Sequence, residues 1–245
     1  MAGLGAELSA IAPGLALRKD GSVVSWGGER PADEPEPDLP LASTRLGGRP
    51  DLAPSAAWPS FEDRPMAFVA QVNLAEVSPL DERGLLPPSG LLSFFGAPAD
   101  LDQPGSWHVS FTEDAAAVAK LEFPADLSFR ERYATVALRA QRELTSLPME
   151  SETLADLGLT WEERIAYGDA LRGEEGPRHR MLGHPDVVQS DPRDEEPGLC
   201  LLLQVDSDED AGMMWGDVGR LYFWIRRDDL ERRRFDRCEL IFQSH

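Results

Sequence analysis

The sequence predicts an α+β, β-rich fold in which two similar three-stranded β units, the product of an internal duplication, pack around a shared core with few helices. Three observations carry that prediction. Short runs of alternating apolar residues are bounded by Gly, Pro and Asp, the punctuation of strands and turns. Four such motifs recur in the same order at nearly one spacing. Only Thr160 to Leu171 combines helical spacing with a start and a stop signal, the Thr160/Glu163 capping box and Gly173.

Taken in order, residues 8–28 predict a β-hairpin at the edge of the fold, because the β-prone runs LALR and SVVSW flank Asp20-Gly21. The segment GLALRKDGSVVSWG resembles one repeat of the chromosome-condensation-regulator type of propeller, but a single blade fragment closes no propeller. Residues 29–40, ERPADEPEPDLP, are too rich in proline and acid to bury apolar surface and read as a linker. This divides the chain into an extension, 1–40, and a main domain, 41–245. The main domain comprises a half-repeat 41–111, a connecting segment with the helix 112–177, and a half-repeat 178–245.

The paired glycines of Leu46-Gly47-Gly48-Arg49-Pro50-Asp51 predict a tight turn. A strand follows, Ala67 to Leu74, with Phe68, Ala70, Val72 and Leu74 on one face and Val69, Gln71 and Asn73 on the other. Gly90 to Phe95 and Trp107 to Phe111 supply two more strands. Val136 to Leu144 suits strand or helix by pattern, and Pro148 close behind it favours strand. Trp161, Ile165 and Ala166 form a stripe on the helix that predicts core packing.

The second half repeats the first. Asp51 of the Gly-Pro-Asp turn recurs as Asp186, 135 residues on, and Gln71 of FVAQVN recurs as Gln204 of LLLQVD, 133 residues on. GRLYFW from Gly219 echoes GLLSFF from Gly90, and Cys238, Leu240 and Phe242 echo Trp107, Val109 and Phe111. If a twofold relates the halves, Gln71, Asn73, Gln204 and Asp206 converge near it. There they either satisfy strand-end backbone groups or line a polar cleft.

Composition excludes several classes. With 44 acids against 24 bases the formal charge is −20, which opposes nucleic-acid binding and suits a basic protein partner. No window approaches the roughly 18 apolar residues of a membrane span, and the start lacks a cationic region before its apolar run, so neither export nor anchoring is expected. Cys200 and Cys238 lie in apolar strand-like runs and read as reduced core thiols of a cytoplasmic protein.

LGGRPD, FVAQVN, HRMLGHPDVVQSD and above all LLLQVDSDEDAGMMWGDVGRLYFWIRRDDL resemble the YwqG-like family of bacterial proteins over about residues 41–245. The resemblance implies a soluble, β-rich bacterial protein of uncharacterised function. It also admits a role in toxin immunity, because some relatives are encoded near polymorphic toxin systems. It brings no catalytic residues with it.

Candidate chemistry centres on residues 204–224, QVDSDEDAGMMWGDVGRLYFW. Asp206, Asp208 and Asp210 have calcium-loop spacing, yet Ala211 stands where an EF-hand needs glycine and Asp217 where it needs glutamate, so they are weak metal candidates. His184 in its Gly-His-Pro-Asp turn could serve acid/base work with Asp186, Asp206 or Asp217, or make ordinary turn hydrogen bonds. Met213, Met214 and Trp215 either anchor the loop in the core or form a contact surface. The arginines of residues 226–237 read as partners of nearby acids. Nucleophile elbows, phosphate loops, zinc spacings and dinucleotide fingerprints are missing from the sequence. With no catalytic or cofactor motif, the sequence predicts a non-catalytic interaction protein with a basic partner, and the family resemblance admits an immunity-type role against a basic toxin or effector. Its candidate binding residues are Gln71, Asn73, His184, Gln204, Asp206, Asp208, Trp215 and Asp217. The alternative is a small-ligand-binding protein or hydrolase using a polar cleft between the halves.

Overall fold

A computed structural model describes residues 11–20, 37–149, 151–171 and 178–245. Its strands are β1 (Ile11–Lys19), β2 (Arg45–Leu46), β3 (Asp51–Leu52), β4 (Ser60–Phe61), β5 (Arg64–Pro65), β6 (Ala67–Asn73) and β7 (Leu91–Gly96). They continue with β8 (Trp107–Thr112), β9 (Ala119–Lys120), β10 (Val136–Ser146), β11 (His179–Met181), β12 (Leu199–Asp206), β13 (Arg220–Arg226) and β14 (Glu239–Gln243). Four short helices, α1 (Leu74–Val77), α2 (Glu152–Asp156), α3 (Trp161–Leu171) and α4 (Arg227–Glu231), lie between them. The fold is thus β-rich with few helices, and none of the helices among the described residues is long and apolar enough to cross a membrane.

Ten strands form one antiparallel sheet in the order β14-β13-β12-β11-β1-β10-β2-β6-β7-β8. The long pair β1–β10 lies at its centre, and on each side a short strand leads to a three-strand meander. The sheet curls until its ends nearly meet. Trp107 of β8 donates its indole N–H to the carbonyl of Cys238 at 2.7 Å, and the rings of Phe111 and Phe235 lie 5.1 Å apart. Inside, Phe94 of β7 meets Phe223 of β13 at 5.0 Å, joining the two flanks in one core. Closure of this kind hides the edges through which open sheets aggregate.

The first β-prone run is an interior strand, not an edge. β1 pairs with β10 from Ile11↔Ser146 to Lys19↔Leu138 and with β11 from Leu15↔Met181 to Leu17↔His179. The turn residue Gly21, the second arm at 22–26 and most of the linker lie outside the described residues.

The expected faces of the 67–74 strand need correction. A bulge shifts the register between Phe68 and Ala70, so Phe68 pairs with Phe95 and Gln71 with Ser93 on the outer face. Ala70 and Val72 turn to the main core, whereas Phe68 joins Leu52, Met66 and Phe95 in a small outer cluster. β12 has the same irregularity between Leu201 and Leu203, which puts Leu201 with Tyr222 and Trp224 in a second outer cluster.

Elsewhere the local readings hold. Gly47 and Gly48 have φ of 53° and 72°, the left-handed region that glycine tolerates. Residues 136–146 are strand, and the helix from Trp161 carries its capping box, with the Thr160 N–H donating to Glu163 Oε2 at 2.8 Å. Gly173 lies outside the described residues. The expected core stripe on this helix is wrong, however. Trp161 is 48% and Ile165 39% exposed, with the Arg164 guanidinium 4.9 Å over the Trp161 ring. Both cysteines are free, and burial pushes each thiol up from its ordinary range.

Candidate functional site

The loop from Asp206 to Gly219 joins the end of β12 to β13 and is built from the inside out. Asp208 and Met213 exchange backbone hydrogen bonds at 2.8 and 2.9 Å, closing a tight turn with Gly212 at φ 69°. Met213 and Trp215 then drop into the core, each 1% exposed. The Trp215 ring packs edge-on to Tyr133 at 5.5 Å, and its indole N–H donates to the carbonyl of Asp206 at 3.2 Å. The Ser207 hydroxyl donates to the carbonyl of Gly219 and accepts the Trp215 N–H. The large apolar side chains that this densely hydrogen-bonded loop leaves in solvent are Met214, 54% exposed, and Val218, 55% exposed.

Beneath the loop the carboxylates are already engaged. Asp208 is buried, with Lys19 Nζ at 2.9 Å and His179 Nε2 at 3.0 Å. Lys19 also reaches Asp210 Oδ2 at 2.5 Å. The ammonium thus stands between two of the three carboxylates with calcium-loop spacing, in the position a cation would take. The third, Asp206, pairs with Arg220 (Nε to Oδ1, 3.1 Å) and accepts the Arg178 N–H at 3.0 Å. Among the described residues, no group of three or more His, Cys, Asp or Glu side chains could hold a metal ion.

Burial alone would raise the Asp208 carboxyl, but hydrogen bonds from His179 and Lys19 outweigh it and hold it at about 2. Burial likewise opposes the Lys19 charge, and Asp210 and Asp208 overcome it to raise the ammonium above its ordinary value. His179 Nδ1 accepts the Asp206 N–H at 3.2 Å, which fixes the ring proton on Nε2, facing Asp208. A carboxylate held so low is a poor proton acceptor at neutral pH, so Asp208 itself stays charged rather than exchanging protons. Around it opens a shallow basin of about 500 Å³ walled by Lys19, Asp206, Asp210, Met214, Val218 and Arg220.

The other candidates lie elsewhere. Gln71 and Gln204 are fully buried, one in each flank with four strands between them, and line neither the basin nor each other. Gln71 Oε1 accepts the Asp51 N–H at 3.0 Å and its amide donates to the carbonyl of Ser43 at 2.9 Å. Gln204 Oε1 accepts the Asp186 N–H at 2.9 Å and its amide N–H donates to the carbonyl of Arg178 at 2.7 Å. Each amide clamps its Gly-Pro-Asp turn to its strand. Asn73 caps α1, accepting the Ala75 N–H at 3.0 Å. Asp217 is exposed, and its carbonyl accepts the His245 N–H. His184 is buried beside a second cavity of about 590 Å³ at the opposite end of β12, its N–H donating to Thr145 Oγ1 at 2.8 Å. Asp206, Asp208 and Trp215 come together with the weak metal candidate Asp210, Trp215 from the buried side of the loop.

Sequence reasoning missed Lys19, His179 and Arg220. Lys19 and Asp208 are 189 residues apart, and nothing local in the sequence joins them. The scarcity of lysine, with Lys19 and Lys120 alone, was the one available signal.

Residues 44–243 match the family model described as "Domain of unknown function (DUF1963)". The match takes in Asp208, His179 and Arg220 and leaves Lys19 outside. No curated protein matches the chain.

Proposed function

We propose that this chain, which belongs to the DUF1963 family, is a non-catalytic binding protein whose partner surface is the face of the 206–219 loop. The carrying observation is that Met214 and Val218 stand exposed on a backbone locked by buried Met213 and Trp215. A preorganised apolar pair of this kind loses little entropy on binding. Glu209 and Asp210 line the same basin, and with a charge of −20 the fitting occupant is a basic protein that sets an apolar side chain between Met214 and Val218. In the YwqG-like reading this is a cytoplasmic bacterial protein of immunity type, and the basic partner is a toxin or effector.

The duplication belongs to the same proposal. It is supported by the mirrored strand order, by bulges at Phe68/Ala70 and Leu201/Leu203, and by the left-handed pairs Gly47-Gly48 and Leu182-Gly183. Arg45 donates to the carbonyl of Arg49 as Arg180 does to that of His184. On this view the 206–219 loop is the diverged counterpart of the loop between β6 and β7, recruited for binding in one copy.

To test the binding reading, a basic protein encoded beside the gene or cross-linked to the chain in its own cells is purified and titrated against the wild type and Met214→Asp/Val218→Asp. Weakening by about tenfold or more, with an unchanged melting temperature, is expected. An acidic partner, or unchanged affinity in the double variant, would overturn the proposal.

A further inference from the structure

Five of the six arginines between residues 226 and 237 pair with carboxylates: Arg226 with Glu196, Arg232 with Asp228, Arg233 with Glu113, and Arg234 and Arg237 with Asp236. Arg227 is the exception. Among the described residues its guanidinium makes no hydrogen bond or ion pair, and neither does that of Arg83 on the loop between β6 and β7. Other arginines, Arg132 and Arg164 among them, also bond to no carboxylate, so what sets this pair apart is its place. Both line the same cavity, the one of about 590 Å³ at the Leu199 end of β12.

Neither arginine is carried on a slack backbone. The Asp81 carboxylate accepts the N–H groups of Arg83, Leu85 and Leu86 at 3.0, 2.6 and 2.8 Å, so the Arg83 loop is folded around it. The Arg227 N–H donates to the carbonyl of Gly198 at 3.0 Å, which fixes the second arginine to the cavity rim. The acids of the cavity include Asp194, whose carboxylate is drawn to α2 by the Ser151 hydroxyl and the Glu152 N–H. Arg193, which forms part of the wall, is held by Asp191 and lies 5.6 Å over the Trp224 ring. Between these polar groups the surface is apolar, from Leu85, Leu182, Pro197 and Leu199. Cavity size and this mixture of walls suit a small molecule.

We propose that this cleft binds a small organic anion, its carboxylate or phosphate head held between Arg83 and Arg227 and its apolar body lying on Leu85, Leu182 and Leu199. The paired, planar donors of guanidinium groups match both heads. Burial raises the Cys200 thiol in the cavity wall, while Arg227, Arg83 and Arg193 act against it. The site is separate from the 206–219 surface. β12 lies between them with its eight residues, about 23 Å at the usual rise of a strand.

Octanoate and phenyl phosphate, titrated by calorimetry into the full chain, test the two heads. Binding of at least one is expected, about tenfold or more weaker in Arg83→Gln/Arg227→Gln and unchanged in Arg232→Gln, a control outside the cleft. The bound probe should also slow labelling of Cys200 by a thiol reagent, with Cys200→Ser marking the labelled site. Tighter phenyl phosphate identifies a phosphate site and tighter octanoate a carboxylate site. Absence of binding by both up to about 10 mM, or equal affinity in the double arginine variant, overturns the proposal.

Discussion

Gln71 and Gln204 do the same work at the residue scale, each pairing with an Asp N–H and a backbone carbonyl beside its turn. Removing either amide strands an Asp N–H and a carbonyl, at about 1–3 kcal/mol for each group left unsatisfied. Gln204→Ala should therefore lower the urea midpoint markedly. Gln71→Ala should lower it at least as far, because Gln71 also donates to Asp51 Oδ2 at 2.8 Å. Asp208 makes a pH-dependent contribution. Its carboxyl is held at about 2 against an ordinary 3.8, so its stabilisation is complete above roughly pH 4 and is lost as pH falls towards 2. The linked free energy is roughly 2 kcal/mol. Asp208→Asn should be less stable than wild type at pH 6, and the gap should close on acidification when urea midpoints are followed against pH.

At the scale of elements, β1 separates what a family match covers from what a fold needs. The match begins at residue 44, yet without Ile11–Lys19 both β10 and β11 lose a neighbour in the middle of the sheet. A fragment of residues 37–245 is expected to show little native near-ultraviolet circular dichroism, and a peptide of residues 11–20 added in trans should restore part of it. Native signal in the fragment alone would show that the flanks pair without the central strand. The aromatic residues of helix and loop make a sharper contrast. Trp161→Ala, half-exposed on α3, should change stability by less than about 1 kcal/mol, while Trp215→Ala should cost about 3–5 kcal/mol.

Strand existence was legible in the sequence because runs such as MAFVAQVN and GLLSFF are bounded by turn residues. Facing was not. Every residue of β6 except Asn73 is buried, so alternation carries no signal there and the extra residue of the bulge leaves no trace in the pattern. The candidate site divides the same way. The loop follows from local composition, which leaves open whether Met213, Met214 and Trp215 anchor it or face a partner, whereas the Lys19–Asp208–His179 cluster depends on which strands meet.

For the whole molecule, the Phe94–Phe223 contact makes the two flanks one cooperative unit. Phe94→Ala and Phe223→Ala should each cost about 3–5 kcal/mol, with a coupling of about 0.5–1.5 kcal/mol in a double-mutant cycle. Fluorescence should report one transition shared by Trp58 in the first flank and Trp224 in the second. The central position of β1 also reverses the order of synthesis and the order of pairing. This strand must wait for β10 and then for His179–Met181, at the usual 5–20 residues per second an interval of about 10–30 s. Throughout that interval an apolar nascent segment lacks both of the strands it pairs with in the native sheet, which sets its capture by a chaperone, or by a second nascent chain, in competition with native pairing.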